Sequence, residues 1–305
     1  MTKQTAIQPG KARHVKPVLS DADFKKVAAI AYTKAGLAIA PSKAAMVHTR
    51  LARRLRALQM NSYTEYCALV ESNEGKSELR EFISALTTNV SHFFREDHHF
   101  DRLREEVLPE LLDKLQSGMK VRIWSAGCSN GQEPFSIATL LLENGPLPPG
   151  ADLKILATDI DPKVITFAKA GVYDKQMIAG LPETLRSQFF NPVDTGRELA
   201  WQANPQLKEL IAFKELNLLD QWPMKGRFDV IFCRNVVIYF DEPTQKVLWQ
   251  KFSDVMDPGS WLFLGHSERV SDEFGSELPS VGMTTYRRAP LPLERTTAPT
   301  PHRKD

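Results

Sequence analysis

The stretch around Val121–Ser136 constrains the fold more than any other part of the chain. Val121–Ser125 reads as a buried strand, the run from Gly127 to Gly131 as a tight turn, and Glu133-Pro134-Phe-Ser as the start of a helix. A strand that turns through glycines into a helix is the first half of a βα unit. Repeated units build a parallel sheet with helices on both faces. The repetition is present: apolar runs at Lys154–Thr158, Ile211–Leu216, Asp229–Cys233 and Ser260–Leu264 alternate with helical segments near Pro134–Glu143, Pro162–Ala170 and Pro243–Met256. The expected fold class is therefore α/β, a Rossmann-like, doubly wound parallel sheet.

The flanks differ from this body. Residues 1–19 and 289–305 read as disordered arms, polar and rich in Pro, Thr and charge. Residues 20–88 read as an all-helical domain. Ser20 offers an N-cap before Phe24, Val27, Ile30 and Ala31, and Pro41-Ser42 opens a second helix. Ser62-Tyr-Thr-Glu65 is a capping-box pattern for a third helix, and Ser77–Leu86 reads as a fourth. Residues 89–97 are a linker. The α/β domain, residues 98–288, begins with an amphipathic helix from near Asp97 to Gln116, interrupted at Pro109. One stretch, about residues 172–210, breaks the βα rhythm and reads as an inserted β-subdomain. Within it Leu199-Ala-Trp-Gln is a candidate strand and Asp194-Thr-Gly-Arg a turn.

Charge separates the same two parts. Residues 1–87 hold 14 Lys and Arg against 7 Asp and Glu, while the rest hold 25 against 30, for a net +2 overall. That balance argues against a nucleic-acid coat. No apolar run is long enough to span a bilayer and the N-terminus has no signal-like core, so the expected compartment is the cytoplasm. Cys67, Cys128 and Cys233 form no CxxC pair and give no metal-ligand spacing, so no metal site is expected.

The first βα turn of such a sheet is where nucleotides bind. This one lacks the dinucleotide spacing, and Glu133 at the helix start would repel a pyrophosphate; a carboxylate there suits a cationic ligand. An ordinary glycine-rich turn is the plainer reading. Asp159, at the end of the second strand in Ala157-Thr-Asp-Ile-Asp161, is placed to accept from ribose hydroxyls, with Asp161 before Pro162 as a helix cap. Asn217 and Leu218 follow the third strand; Asn217 can bond an adenine edge and Leu218 pack on its face, or both are simply a strand end. Arg234-Asn235 ends the strand of Asp229–Cys233, at the edge where a switch-point crevice puts ligand groups. Tyr239 beyond it either faces a reacting centre or is an aromatic of the core.

These runs together resemble one family. Asn89-Val-Ser-His-Phe-Phe-Arg95-Glu, WSAGCSNGQEPFSIA, ATDID, NLLD, FDVIFCRNVVIYFD and Leu264-Gly-His-Ser-Glu268 look like the chemotaxis receptor methyltransferases, the CheR family, from about residue 20 to about residue 290. The resemblance implies an N-terminal helical domain, a Rossmann-like methyltransferase domain with a small inserted β-subdomain, and S-adenosylmethionine as methyl donor. It implies glutamates of methyl-accepting chemotaxis proteins as acceptors, with S-adenosylhomocysteine as product. It places cofactor contacts on Asn89, Ser91, Arg95, Glu133, Asp159, Asn217, Leu218, Asn235 and Val236, and reacting-centre roles on Arg95 and Tyr239. Ser91 stands where close relatives often have Thr. The linker holding Asn89 to Arg95 would cover the cofactor. Monomer is the default oligomeric state.

A basic second helix holds Lys43, Arg50, Arg53, Arg54 and Arg56, with no acid from Ser42 to Met60. Arg50, Arg53 and Arg54 share a face. It is either a solvated face or, as the resemblance suggests, a docking face for an acidic receptor bundle. His92, His98, His99 and His266 read as solvated or structural, and Gly265-His-Ser-Glu268 as shaping the rim of the crevice. Two other readings compete: the same fold acting on RNA or a small molecule, and an inactive cofactor-binding adaptor.

Overall fold

The computed structural model describes residues 17–196 and 198–290. The arms expected at 1–19 and 289–305 lie almost wholly outside the described residues, as does Arg197 of the expected turn. Two compact units are present, one of residues up to Thr88 with Ile160–Pro162, the other of Asn89–Asp159 and residues from Lys163 onward.

Among its described residues the first unit holds four α-helices: α1 (Asp21–Ala35), α2 (Ala44–Ala57), α3 (Tyr63–Glu71) and α4 (Lys76–Leu86). Ser20 closes a capping box with Asp23, and Gly36, at φ 69°, ends α1 in the left-handed conformation. Pro41–Lys43 form a single 3-10 turn, so α2 proper begins at Ala44. Val27, Val47, Leu51, Leu55, Tyr66 and Phe82 fill the interior.

The basic face of α2 is corrected here. Arg54 donates from Nε and Nη2 to both oxygens of Glu78 (3.0 and 2.7 Å) and pairs with Glu81 at 2.7 Å. Arg50 donates to the carbonyls of Ala85, Leu86 and Thr87 at the end of α4 and to Thr88 Oγ1. Both are half-buried and bind α2 to α4, Arg50 by meeting the negative end of the α4 dipole. Lys43, Arg53 and Arg56 are the members of the five that stay exposed.

The second unit opens with α5 (Asp97–Arg102), a π turn (Leu103–Val107) and α6 (Leu108–Gln116). The break sits just before Pro109, whose ring and missing N–H forbid a regular turn. Then follow β1 (Val121–Ala126), α7 (Gln132–Leu142), β2 (Leu153–Asp159) and α8 (Pro162–Ala170). Next come β3 (Val172–Asp174), α9 (Glu183–Phe189), β4 (Phe190–Asp194), β5 (Leu199–Ala203) and α10 (Pro205–Leu210). The last described elements are β6 (Ile211–Glu215), β7 (Phe228–Cys233), α11 (Glu242–Asp254), β8 (Met256–Leu264), β9 (Ser280–Gly282) and β10 (Thr285–Arg287).

The main sheet has seven strands in the order β6-β2-β1-β7-β8-β10-β9. The first five are parallel, but β10 runs antiparallel to β8 and β9. The doubly wound parallel sheet expected from the sequence is present, and an antiparallel hairpin the sequence did not show extends its β8 edge. A hairpin needs no crossover helix, and strands of three residues are too short to show a period. From β1 the chain builds outward to β2 and β6, then returns to lay β7 on the other side. That reversal opens a crevice at the carboxyl ends of β1 and β7. The segment between α8 and β6 forms a separate antiparallel sheet, β3-β5-β4.

Apolar layers clamp the sheet on both faces. One contains Ile123, Phe135, Ile155, Val230 and Phe263; the other contains Trp124, Ile231, Leu248, Trp249 and Leu262. Adjacent strand residues face opposite layers, so the strand ends that border the crevice are held from both sides. Among the described residues no helix is long and apolar enough to cross a membrane.

Candidate active site

The turn after β1 lies against the end of β2. Gly127 N and Cys128 N each donate to Thr158 O at 2.8 Å, and Ser129 N donates to Asp159 Oδ2 at 2.9 Å. Gly127 and Gly131 sit at φ 87° and 89°, where side chains are strained. Space excludes them too: a Cβ on Gly127 would lie 2.2 Å from Val236 Cγ2, and one on Gly131 2.8 Å from Ala168 Cβ. Leu216 N donates to Asp159 O at 2.9 Å, which brings the Asn217 turn beside the same strand end.

Glu133 stands in the first turn of α7, where a helix N-terminus favours a carboxylate. Its Oε1 accepts from Ser125 Oγ at 2.6 Å, and its Oε2 lies 3.3 Å from Arg234 Nε. Glu96 approaches the same guanidinium, its Oε2 at 3.9 Å from Arg234 Nε. Arg234 is only 6% exposed, stands over the Phe100 ring and donates from Nη2 to the carbonyl of Arg95. One buried cation therefore lies between two carboxylates.

The two carboxylates differ. Burial pushes the Glu133 carboxyl up, and Arg234 and the Ser125 hydroxyl only partly oppose this. Burial also acts to raise Glu96, but Arg234 and bonds from His266 and Asn235 outweigh it and hold its carboxyl low. Those bonds join Glu96 Oε1 to His266 Nδ1 (3.2 Å), His266 N and Asn235 Nδ2 (each 3.3 Å).

Residues 89–96 run across this cluster. Phe93 is buried edge-on against Tyr173 (5.1 Å) and Phe190 (5.5 Å), and Phe94 N donates to Ser136 Oγ at 3.0 Å. Arg95 is half-buried and donates from Nη1 to Val90 O at 2.8 Å. Asn89 and Ser91 are half-buried at the start of the same segment.

Of the sequence-derived residues, Arg95, Glu133, Asn235 and Val236 meet around Arg234 and the Gly127 turn, with Asp159 and Asn217 at the neighbouring strand ends. Leu218 is a correction. Its side chain is 6% exposed within the core cluster of Trp124, Phe228 and Phe252, so it does not offer a face to an adenine. Its carbonyl is taken by Trp222 Nε1 and Lys251 Nζ, which draws the residue inward. Tyr239 is half-buried, with its ring against the cluster that contains Val237 and Phe240.

His99 is fully buried with Nε2 2.9 Å from Thr284 Oγ1. Burial, with Arg234 nearby, pushes it down to about 3, so it is neutral and structural. His266 is exposed and caps Glu96.

The sequence does not single out Glu96, and it marks Arg234 only as part of a polar strand end and Glu268 only as part of the crevice rim. Glu268 is 3% exposed and accepts from the main chain after β7. The available signal was charge at strand ends, in Arg234 after β7 and Glu268 after β8.

Two family models match the chain: "CheR methyltransferase, all-alpha domain" over residues 22–87 and "CheR methyltransferase, SAM binding domain" over residues 89–287. A probable chemotaxis protein methyltransferase of Rhizobium etli is 49% identical over 256 residues, 84% of this chain and 96% of that one. The chemotaxis protein methyltransferase of Borreliella burgdorferi is 37% identical, over 87% of this chain and 94% of its own. That of Salmonella typhimurium is 38% identical, over 88% and 90%.

Proposed function

The chain belongs to the CheR methyltransferase family, and from that premise we propose that it methylates glutamate side chains on the cytoplasmic domains of methyl-accepting chemoreceptors. The donor is S-adenosylmethionine; the products are a glutamate methyl ester and S-adenosylhomocysteine. The reading is of a cytoplasmic, monomeric enzyme.

The observation behind it is the cluster in which Glu96 and Glu133 share the buried Arg234. Two carboxylates converge on one guanidinium in a poorly solvated place, and Arg95, whose charge also acts on Glu133 and Arg234, donates to Val90 O. Such a site is costly for a phosphate and suits a ligand with an ammonium or sulfonium. Buried Arg234 Nη1 and Glu96 Oε2 lack a hydrogen-bond partner among the described residues, as expected of groups that serve a ligand site.

In this reading Glu133 holds the ammonium, Asp159 the ribose hydroxyls and Asn217 the adenine edge. Leu218 contributes through its main chain. Asn89, Ser91, Asn235 and Val236 complete the walls. Bound S-adenosylmethionine supplies an electrophilic methyl on a sulfonium. The acceptor glutamate, with an ordinary pKa of about 4.3, is ionised at neutral pH and needs no general base. The chain's task is then alignment and exclusion of water, through side chains fixed on rigid strand ends. Arg95 orients the acceptor carboxylate by a single hydrogen bond, because full ion pairing would blunt its nucleophilicity. Tyr239 borders the reacting groups.

Incubation with methyl-labelled donor and a receptor cytoplasmic fragment tests the reading. Label in the receptor, lost with Glu133→Gln, is expected. Binding of S-adenosylhomocysteine without label in any receptor fragment would favour an adaptor instead.

A further inference from the structure

After β7 the chain leaves the sheet through Asn235, at φ 59°, and a 3-10 turn at Val237–Tyr239. Four successive main-chain N–H groups in this turn point at one side chain. Glu268 Oε1 accepts from Val236 N (2.8 Å), Val237 N (2.7 Å) and Ile238 N (3.2 Å). Its Oε2 accepts from Asn235 N (2.8 Å) and from Gly265 N (2.6 Å). Converging N–H groups of this kind form an anion nest, and here the anion is internal to the chain. Without it, buried donors such as Val237 N would be orphaned. Gly265 makes the approach possible, since a Cβ there would lie 2.7 Å from Asn235 N and 2.8 Å from Glu268 Oε2.

The turn so held does two things at the site. It sets Asn235 Nδ2 3.3 Å from Glu96 Oε1, and it seats Val236 against the Gly127 turn. We propose that Glu268 is a positioning residue for methyl transfer, fixing the Asn235–Tyr239 turn that walls the cofactor and acceptor. It acts through main-chain N–H groups rather than by touching either reactant. The inference rests on the methyltransferase reading above.

Glu268→Gln is the test. A glutamine keeps the shape but turns an amide NH2 toward N–H donors, leaving at least two unsatisfied. The dissociation constant for S-adenosylhomocysteine, measured by calorimetry, should rise at least about tenfold. Hydrogen exchange should accelerate at residues 235–238 while β7 and β8 keep their protection. Glu268→Asp keeps the charge with shorter reach and should recover part of the affinity. A folded Glu268→Gln protein that binds within about twofold of wild type overturns the proposal. So does loss of protection spread through β7 and β8, which marks a merely structural role. If Glu268→Gln does not fold, Glu268→Asp is decisive: wild-type affinity refutes the proposal, and weakened binding with exchange confined to 235–238 supports it. Wild-type protein that fails to bind S-adenosylhomocysteine would instead overturn the functional reading on which the inference rests.

Discussion

Replacing Arg234 by Met probes the centre of the site. Methionine fills much of the guanidinium's space, so the main loss is electrostatic. In the wild type Arg234 Nε lies 3.3 Å from Glu133 and 3.9 Å from Glu96, and the side chain is 2% exposed. Removing one partner of a buried charge cluster costs about 3–5 kcal/mol. At about 2–4 °C per kcal/mol for a chain of this size, the melting temperature should fall by roughly 6–20 °C near neutral pH. The pH dependence has a definite sign. In the variant both carboxylates are buried without their cation, so their folded pKa values rise above the unfolded ones. The folded state then takes up protons, and the deficit shrinks as pH falls through those raised values. In the wild type Glu96 is held low, so its stabilisation is present above its unfolded pKa and is lost as pH falls through its folded value. The first effect narrows the gap as pH falls from neutral, and the second sets in only below the ordinary carboxylate value of about 4.3. Scanning calorimetry of both proteins at about pH 7.5 and about pH 5 measures this. A difference under about 2 °C at the higher pH, or a gap that widens on acidification, would refute the cluster as the electrostatic centre.

Other outcomes follow from the same geometry. Burial raises the Glu133 carboxyl, so affinity for S-adenosylhomocysteine should fall as pH drops through that raised value; Glu133→Gln should bind more weakly and flatten the profile. Asp159→Ala removes the acceptor of Ser129 N and, in the proposed function, of the ribose hydroxyls, and calorimetry should show affinity for S-adenosylhomocysteine falling about ten- to a hundredfold. Arg95→Ala should cut methyl transfer well over about tenfold beyond any change in cofactor affinity; near-normal turnover in a filtration assay would remove its orienting role. Charge reversal at the exposed Lys43, Arg53 and Arg56 should lower methylation of a receptor fragment and its salt dependence while leaving S-adenosylhomocysteine binding unchanged.

What the sequence made legible was local. The Ser20 cap, the glycine turn at 127–131, Glu133 at a helix start and Asp159 at a strand end each declare themselves within a few residues. What it hid depends on contacts across the chain. Glu96 gains its meaning from Arg234, and Glu268 from the N–H groups of Asn235–Ile238, partners distant in sequence. Arg50 and Arg54 read as surface charge because their acceptors, the end of α4 and Glu78, lie a helix away. Leu218 read as a ligand contact because an apolar residue after a strand looks the same whether it faces the crevice or the core beneath. β9 and β10, at three residues each, carry no period to detect.

The most direct test of the whole scheme is the chemistry of the product. A receptor cytoplasmic fragment incubated with this protein and methyl-labelled S-adenosylmethionine, then treated with base, should release its label as volatile methanol. Peptides sequenced before that treatment should carry the methyl on glutamate. Label that survives base, or that maps to a nitrogen or carbon, would contradict transfer to a carboxylate.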